Sequence, residues 1–251
     1  MVGQPAALRG SAGAVSRLSL DGAPGFAAGF TRGALTARSL DPDAAGHALA
    51  EALGTPEAEV VRLTQVHGTR VLTFEAPARK RGHTLLGDGD ALLTNQPNVL
   101  LAVASADCVP IVLVEPDTGW IAAVHAGWRG TAARVLDGAL DALEARGARS
   151  ENLFASFGPS ISRDRYEVGP EVVTALLDAY GAAPGGAIAR GAGGKALLDV
   201  AAFNEAALRT RGVRPERIST SGLCTASTPD LPSWRRDGPG AGRILTGIVR
   251  R

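Results

Sequence analysis

The chain has 251 residues, 45% of them apolar, and a formal net charge of +1 at neutral pH. That is enough apolar material for one large core within the size range of a single domain. A near-neutral balance with no Lys/Arg run argues against a nucleic-acid partner, and two cysteines, Cys108 and Cys224, argue against a disulfide framework.

The first residues show no basic segment leading into a continuous apolar one, so no secretory peptide and a cytoplasmic location are expected. The most apolar stretch, residues 99–114, is too short to span a bilayer and carries Asp107 and Pro110, so no membrane partner is expected.

Residues 1–25 are Ala/Gly-rich and read as a loosely ordered N-terminus, with a first strand possible over 15–20 and a strand end at 29–33. Asp41 as cap and Pro42 at the first position start a helix that Gly54 stops. Residues 60–66 form a strand that delivers His67 to its end. Gly68 supplies a tight turn into a returning strand at 71–74.

A charged, glycine-rich loop spans 77–89, and a short strand ends at Thr94. Residues 111–114 and 120–124 make a hairpin around Pro116-Asp117-Thr118-Gly119. A helix follows over 131–146, with Thr131 as cap and Gly147 as stop. Downstream, strands at 152–157, 197–200, 217–221 and 244–249 alternate with helices begun by Pro170 and by Asp199, and 181–194 is an Ala/Gly loop. The fold class is α/β (α+β): one domain over 1–251, with a mixed, largely antiparallel sheet flanked by helices.

His67, Cys108 and His125 all stand at strand ends beside small or turn residues, where rigid elements can bring ligands together. Two histidines and a thiolate with one position left open match a catalytic zinc site, and their separation along the chain is far too wide for a zinc finger. Spacing alone leaves two other readings: a Cys nucleophile activated by a histidine, or three ordinary core side chains. Asp107 adjoins Cys108 and can orient a ligand or carry a proton. Arg129 falls at a helix start, where an anion is favoured. Trp128 and Tyr166 can stack on a ring or simply pack, and Arg129, Arg235 and Arg236 can each be an anion contact or a solvated surface arginine.

Six segments in one order carry a resemblance: Thr64-Gln65-Val66-His67-Gly68, Asp90-Ala91-Leu92-Leu93-Thr94, Ala106-Asp107-Cys108-Val109-Pro110, His125-Ala126-Gly127-Trp128-Arg129-Gly130, Gly158-Pro159 with Tyr166-Glu167-Val168-Gly169, and Ser233-Trp234-Arg235-Arg236-Asp237-Gly238. From residue 30 onward the chain resembles the YfiH-like laccase-domain family. The resemblance implies an α/β domain and a zinc site of His67, Cys108 and His125. It also points to Arg32 as an anion contact, and with the local readings above the expected catalytic residues are Asp107, Cys108 and Arg129 and the expected substrate and phosphate contacts Arg32, Gln65 and Arg129.

Family labels include polyphenol oxidase, purine nucleoside phosphorylase with adenosine deaminase activity, and peptidoglycan editing factor. A laccase needs several copper ions and many histidines. This chain has His47, His67, His83 and His125, so copper is not expected and Zn2+ is. The leading expectation is therefore a zinc-dependent enzyme taking a purine nucleoside and phosphate, as a monomer or small homo-oligomer. The alternatives are an amidase editing peptidoglycan precursors and a non-catalytic zinc-stabilised nucleotide-binding protein. The chain departs from the family pattern at Gly33-Ala34-Leu35-Thr36, at Leu231-Pro232-Ser233-Trp234, and at Pro239-Gly240-Ala241, all sites that bear on substrate preference.

Overall fold

The computed structural model describes residues 14–36 and 41–251. Val15–Leu18 (β1) and Phe26–Thr31 (β2) pair antiparallel. Of the N-terminal stretch 1–25, residues 1–13 lie outside the described residues. Pro42–Ala52 forms α1, and the Asp41 side chain caps it by accepting from the Asp43 backbone N–H.

Glu59–Thr64 (β3), Val71–Thr73 (β4), His83–Asp88 (β5), Ala91–Thr94 (β6) and Val99–Ser105 (β7) follow. Val109–Glu115 (β8) and Trp120–Ala126 (β9) form the expected hairpin, with Pro110 opposite His125. Then come Trp128–Ala132 (α2), Val135–Glu144 (α3), Phe154–Phe157 (β10), Glu167–Val168 (β11) and Pro170–Tyr180 (α4). The chain closes with Ile188–Arg190 (β12), Ala196–Leu198 (β13), Val200–Thr210 (α5), Ile218–Thr220 (β14), Trp234–Asp237 (α6) and Ile244–Arg250 (β15).

The class is α/β, as expected, and the strands divide among three sheets. Two six-stranded sheets, in the orders β1-β2-β15-β7-β3-β5 and β14-β10-β8-β9-β6-β4, are joined by a small one, β11-β13-β12. The two large sheets pack face to face, Phe30, Leu63, Leu101, Val103 and Ile248 of the first against Leu92, Val112, Ile121 and Phe154 of the second. Leu49 of α1 and Leu53 at its C-cap cover the outer face of the first sheet over Val60, Leu100 and Val249. Leu136, Leu140 and Leu143 of α3 and Phe203 of α5 cover the second over Leu93, Ile111 and Val124. With both faces covered, β8 and β9 are buried along their whole length, which is why their sequences run apolar without alternating. Each fully buried Leu or Ile there contributes about 1.5–3 kcal/mol.

Several expected elements differ. The strand at 71–74 does not return beside β3: β4 lies in the other sheet, parallel to β6. Residues 65–70 are thus a crossover between sheets, and its left-handed residue is His67 (φ +58°), not Gly68. Within the loop 77–89, residues 83–88 form β5, which pairs parallel with β3. Glu59 binds Arg79 at 2.8 Å and anchors this return, an ion pair that hydrophobic periodicity does not reveal. The helix expected over 131–146 is two helices, because Arg134 adopts φ +67° between them. Thr131 lies inside α2 and is no cap. It is fully buried, and its hydroxyl oxygen accepts from Asn204. The loop 181–194 contains β12, which pairs with β13 and is held by backbone bonds that a low-complexity composition does not display. Among the described residues, no helix is long and apolar enough to cross a membrane.

Candidate functional site

The crossover at 65–70 and the β8–β9 hairpin meet at one end of the sandwich. Cys108 immediately precedes β8, His125 is the penultimate residue of β9, and His67 sits at the left-handed corner of the crossover. Their ligand atoms lie within 4.8 Å of one another, and among the described residues no other group of three His, Cys, Asp or Glu side chains converges in this way. Cys108 Sγ is 4.0 Å from His67 Nε2, and the two imidazoles stand edge to face at 4.9 Å. His125 is buried, Cys108 half-buried and His67 exposed, so the group opens to solvent on the His67 side.

Asp90 organises this arrangement. Its carboxylate, fully buried at the start of β6, accepts the His125 Nδ1–H at 2.9 Å and the backbone N–H groups of His67 (3.0 Å) and Gly68 (2.6 Å), with Val66 at 3.3 Å. The His125 backbone N–H also donates to the Asp90 carbonyl at 2.7 Å. One carboxylate therefore fixes both the tautomer of His125, leaving Nε2 for a metal, and the backbone corner that presents His67. Burial pushes Asp90 upward, and these bonds outweigh it, holding the carboxyl below its ordinary value.

Burial also pushes the Cys108 thiol up, but hydrogen bonds to His125 and His67 bring it down to about 6. For His125 burial acts downward, and the bonds to Asp90 and Cys108 raise it to about 9. At neutral pH Cys108 is thus a thiolate, the form that ligates metal, facing a His125 imidazolium, and a metal ion would take the place of the His125 Nε2 proton.

Gly127 completes the cradle. A Cβ there would lie 2.9 Å from Cys108 Sγ and 3.3 Å from His67 Cδ2, so the ligands reach each other because this position has no side chain. Thiolate and imidazole bonds to a tetrahedral zinc place sulfur and nitrogen about 3.6 Å apart, and the 4.0 Å separation is a small side-chain rotation from that. The donor set, its spacing and its supports fit a metal ion.

The other expected residues sit as follows. Asp107, at φ +92°, accepts from the Thr225 hydroxyl (2.5 Å) and the Arg235 backbone N–H (2.7 Å), tying residues 225–235 to the Cys108 corner. The Arg32 guanidinium grips Asp230 through two bonds of 2.8 and 2.9 Å. The Gln65 amide exchanges two 2.7 Å bonds with the backbone of Ala104. Arg129 is exposed and stacks over Trp128 at 4.5 Å. Trp128 and Tyr166 line a small cleft with Cys108, Asp107 and Gly127. A larger cavity, about 490 Å³, lies on the α1 side of the first sheet between Arg62, Trp234 and Arg243, and none of the three ligands lines it. The structure brings together the three residues named from the sequence, His67, Cys108 and His125. Asp90 was missed, although an acid between two turn residues and a buried strand was the available signal.

The description "Multi-copper polyphenol oxidoreductase laccase" matches residues 43–251, and the motifs that build the triad all lie within that match. The chain belongs to this YfiH-like laccase-domain family. Its relatives in the family include a purine nucleoside phosphorylase of Deinococcus radiodurans, 38% identical over 81% of this chain and 76% of the relative. Another is adenosine deaminase RL5 from an unknown prokaryote, 36% identical over 81% of this chain and 79% of the relative. Among solved structures of the family, YlmD of Geobacillus stearothermophilus superposes with a TM-score of 0.79 at 29% identity, covering 91% of this chain and 93% of that one. YfiH of Bacillus licheniformis gives 0.79 at 25% identity, covering 93% and 99%.

Proposed function

We propose that this laccase-domain protein is a zinc-dependent enzyme of purine nucleosides, cleaving inosine or adenosine with phosphate and deaminating adenosine. The carrying observation is the supported His67–Cys108–His125 group, open on one side, in a chain whose relatives are named for these two activities. Multi-copper oxidation lacks the histidines it needs, since the chain has four and His47 and His83 are not in the group.

His67, Cys108 and His125 would hold the ion, which when bound supplies a Lewis acid at the open side of the site. Asp90 keeps the His125 Nδ1 proton away from the ligand nitrogen, and Gly127 keeps the thiolate and His67 in reach of each other. Asp107 acts beside them by holding Arg235 and Thr225 against the Cys108 corner. In phosphorolysis a phosphate oxygen bonds to C1′ as the C1′–N9 bond breaks, and the bonding pair leaves with the base, which gains a proton. In deamination the oxygen of water bonds to C6 as the C6–N6 bond breaks, and the amino group leaves as ammonia.

The test is incubation of zinc-loaded protein with inosine and adenosine, with and without phosphate. Hypoxanthine and ribose 1-phosphate from inosine, and inosine from adenosine, are expected. Absence of all these products, or cleavage of a muramyl-amino-acid amide in their place, would overturn the reading.

A further inference from the structure

We propose that Arg129 and Arg235, each laid on an aromatic ring at the mouth of the triad, form a clamp for a phosphate group. Arg129 Cζ lies 4.5 Å from the Trp128 ring centre and Arg235 Cζ 4.9 Å from that of Tyr166. Trp128 and Tyr166 line one small cleft together with Cys108 and Gly127, so each guanidinium lies against a ring that borders the candidate metal centre. The inference rests on the proposed nucleoside reading for its ligand, inorganic phosphate or the phosphoryl group of a ribose phosphate.

The argument is one of unspent charge. Arg32 and Arg236 are each neutralised by an adjacent carboxylate, Asp230 and Asp237. Among the described residues, neither Arg129 nor Arg235 forms an ion pair; Arg235 donates one bond to the Glu167 carbonyl at 2.9 Å. Stacking on a ring face holds a guanidinium in place without cancelling its charge, and it leaves the N–H edge free for a two-point bond to phosphate. The Asp107 carboxylate fixes the Arg235 backbone at 2.7 Å, so this arm is set by the same corner that carries Cys108. Tyr166 registers the shared neighbourhood: burial pushes its phenol up to about 12, and the charges of Cys108, Arg235, Asp107 and Arg129 all act on it. Arg32, which the resemblance nominated for this role, has its fork already filled by Asp230.

Calorimetric titration of inorganic phosphate into the zinc-loaded full chain tests the clamp, with Arg129→Gln, Arg235→Gln and the charge-keeping Arg235→Lys compared with the wild type. Each Gln variant should weaken phosphate binding tenfold or more, and Lys should recover part of that loss. In phosphate-dependent turnover the Gln variants should raise the KM for phosphate and leave that for nucleoside within about twofold. Unchanged phosphate affinity in both Gln variants, with thermal melts showing them folded, overturns the clamp and leaves the nucleoside reading intact. Phosphate binding that depends on both arginines without any nucleoside turnover supports the clamp while removing that reading. A ribose 1-phosphate titration separates the two phosphate sources, the tighter ligand being the one the clamp serves.

Discussion

Replacing Asp90 by Asn keeps the size of the side chain and removes half of its acceptors. In the wild type Oδ1 accepts from His67 N and His125 Nδ1, and Oδ2 from Gly68 N and, more weakly, Val66 N. An amide offers one oxygen. If that oxygen stays on the His125 side, the amide nitrogen faces the Gly68 N–H, the shortest bond of the set at 2.6 Å. If it turns over, the amide nitrogen faces His125 Nδ1–H, and His125 must shift its proton to Nε2, where the metal binds.

Either choice loses at least one charge-assisted bond of about 1.5–3 kcal/mol and opposes two buried donors, so a stability loss of about 3–5 kcal/mol is expected for the metal-free protein. Zinc affinity should fall about 10- to 100-fold, the usual cost of removing a carboxylate that orients a ligating histidine. Urea unfolding of the metal-free protein and competition for zinc against a chromophoric chelator measure the two effects. An Asp90→Asn protein with wild-type urea midpoint and a zinc affinity within about twofold of wild type would refute the assignment of Asp90 as organiser of the site.

Gly127→Ala should leave the β8–β9 hairpin folded by circular dichroism yet lower bound zinc well below one per chain in elemental analysis, because the added methyl falls 2.9 Å from the Cys108 sulfur; full occupancy would contradict the steric argument. Glu59, buried and bonded to Arg79, provides the pH prediction. Burial pushes its carboxyl up, but the Arg79 and Thr84 bonds more than offset this and hold it below its ordinary value. Its contribution is therefore complete above the unfolded value of about 4.3 and is lost as pH falls through the lower folded value. Urea midpoints recorded down this range should decline in the wild type and less steeply in Glu59→Gln, which should also be less stable by about 1–3 kcal/mol at neutral pH. Parallel declines in the two proteins would remove Glu59 from the acid limb.

Local chemistry in the chain was enough to place most of its elements. Asp41, Pro170 and Asp199 begin α1, α4 and α5 where capping and proline rules put them, because a helix start depends on a few adjacent groups. The β8–β9 hairpin follows from its apolar runs and turn in the same way. The triad His67, Cys108 and His125 was legible because a polar residue at the end of a buried strand is conspicuous without knowing what it faces. What tertiary structure alone decided is how those ends are joined. That β3 and β4 belong to opposite sheets is a matter of long-range pairing, and it turns residues 65–70 from a hairpin turn into the bridge that carries His67 to Cys108. That Asp90 rather than Asp107 holds His125, that Arg32 is tied to Asp230, and that Arg235 lies on the Tyr166 ring depend on partners tens of residues or more away. A sequence shows which side chains can make such bonds, and the packing of the two sheets chooses which of them do.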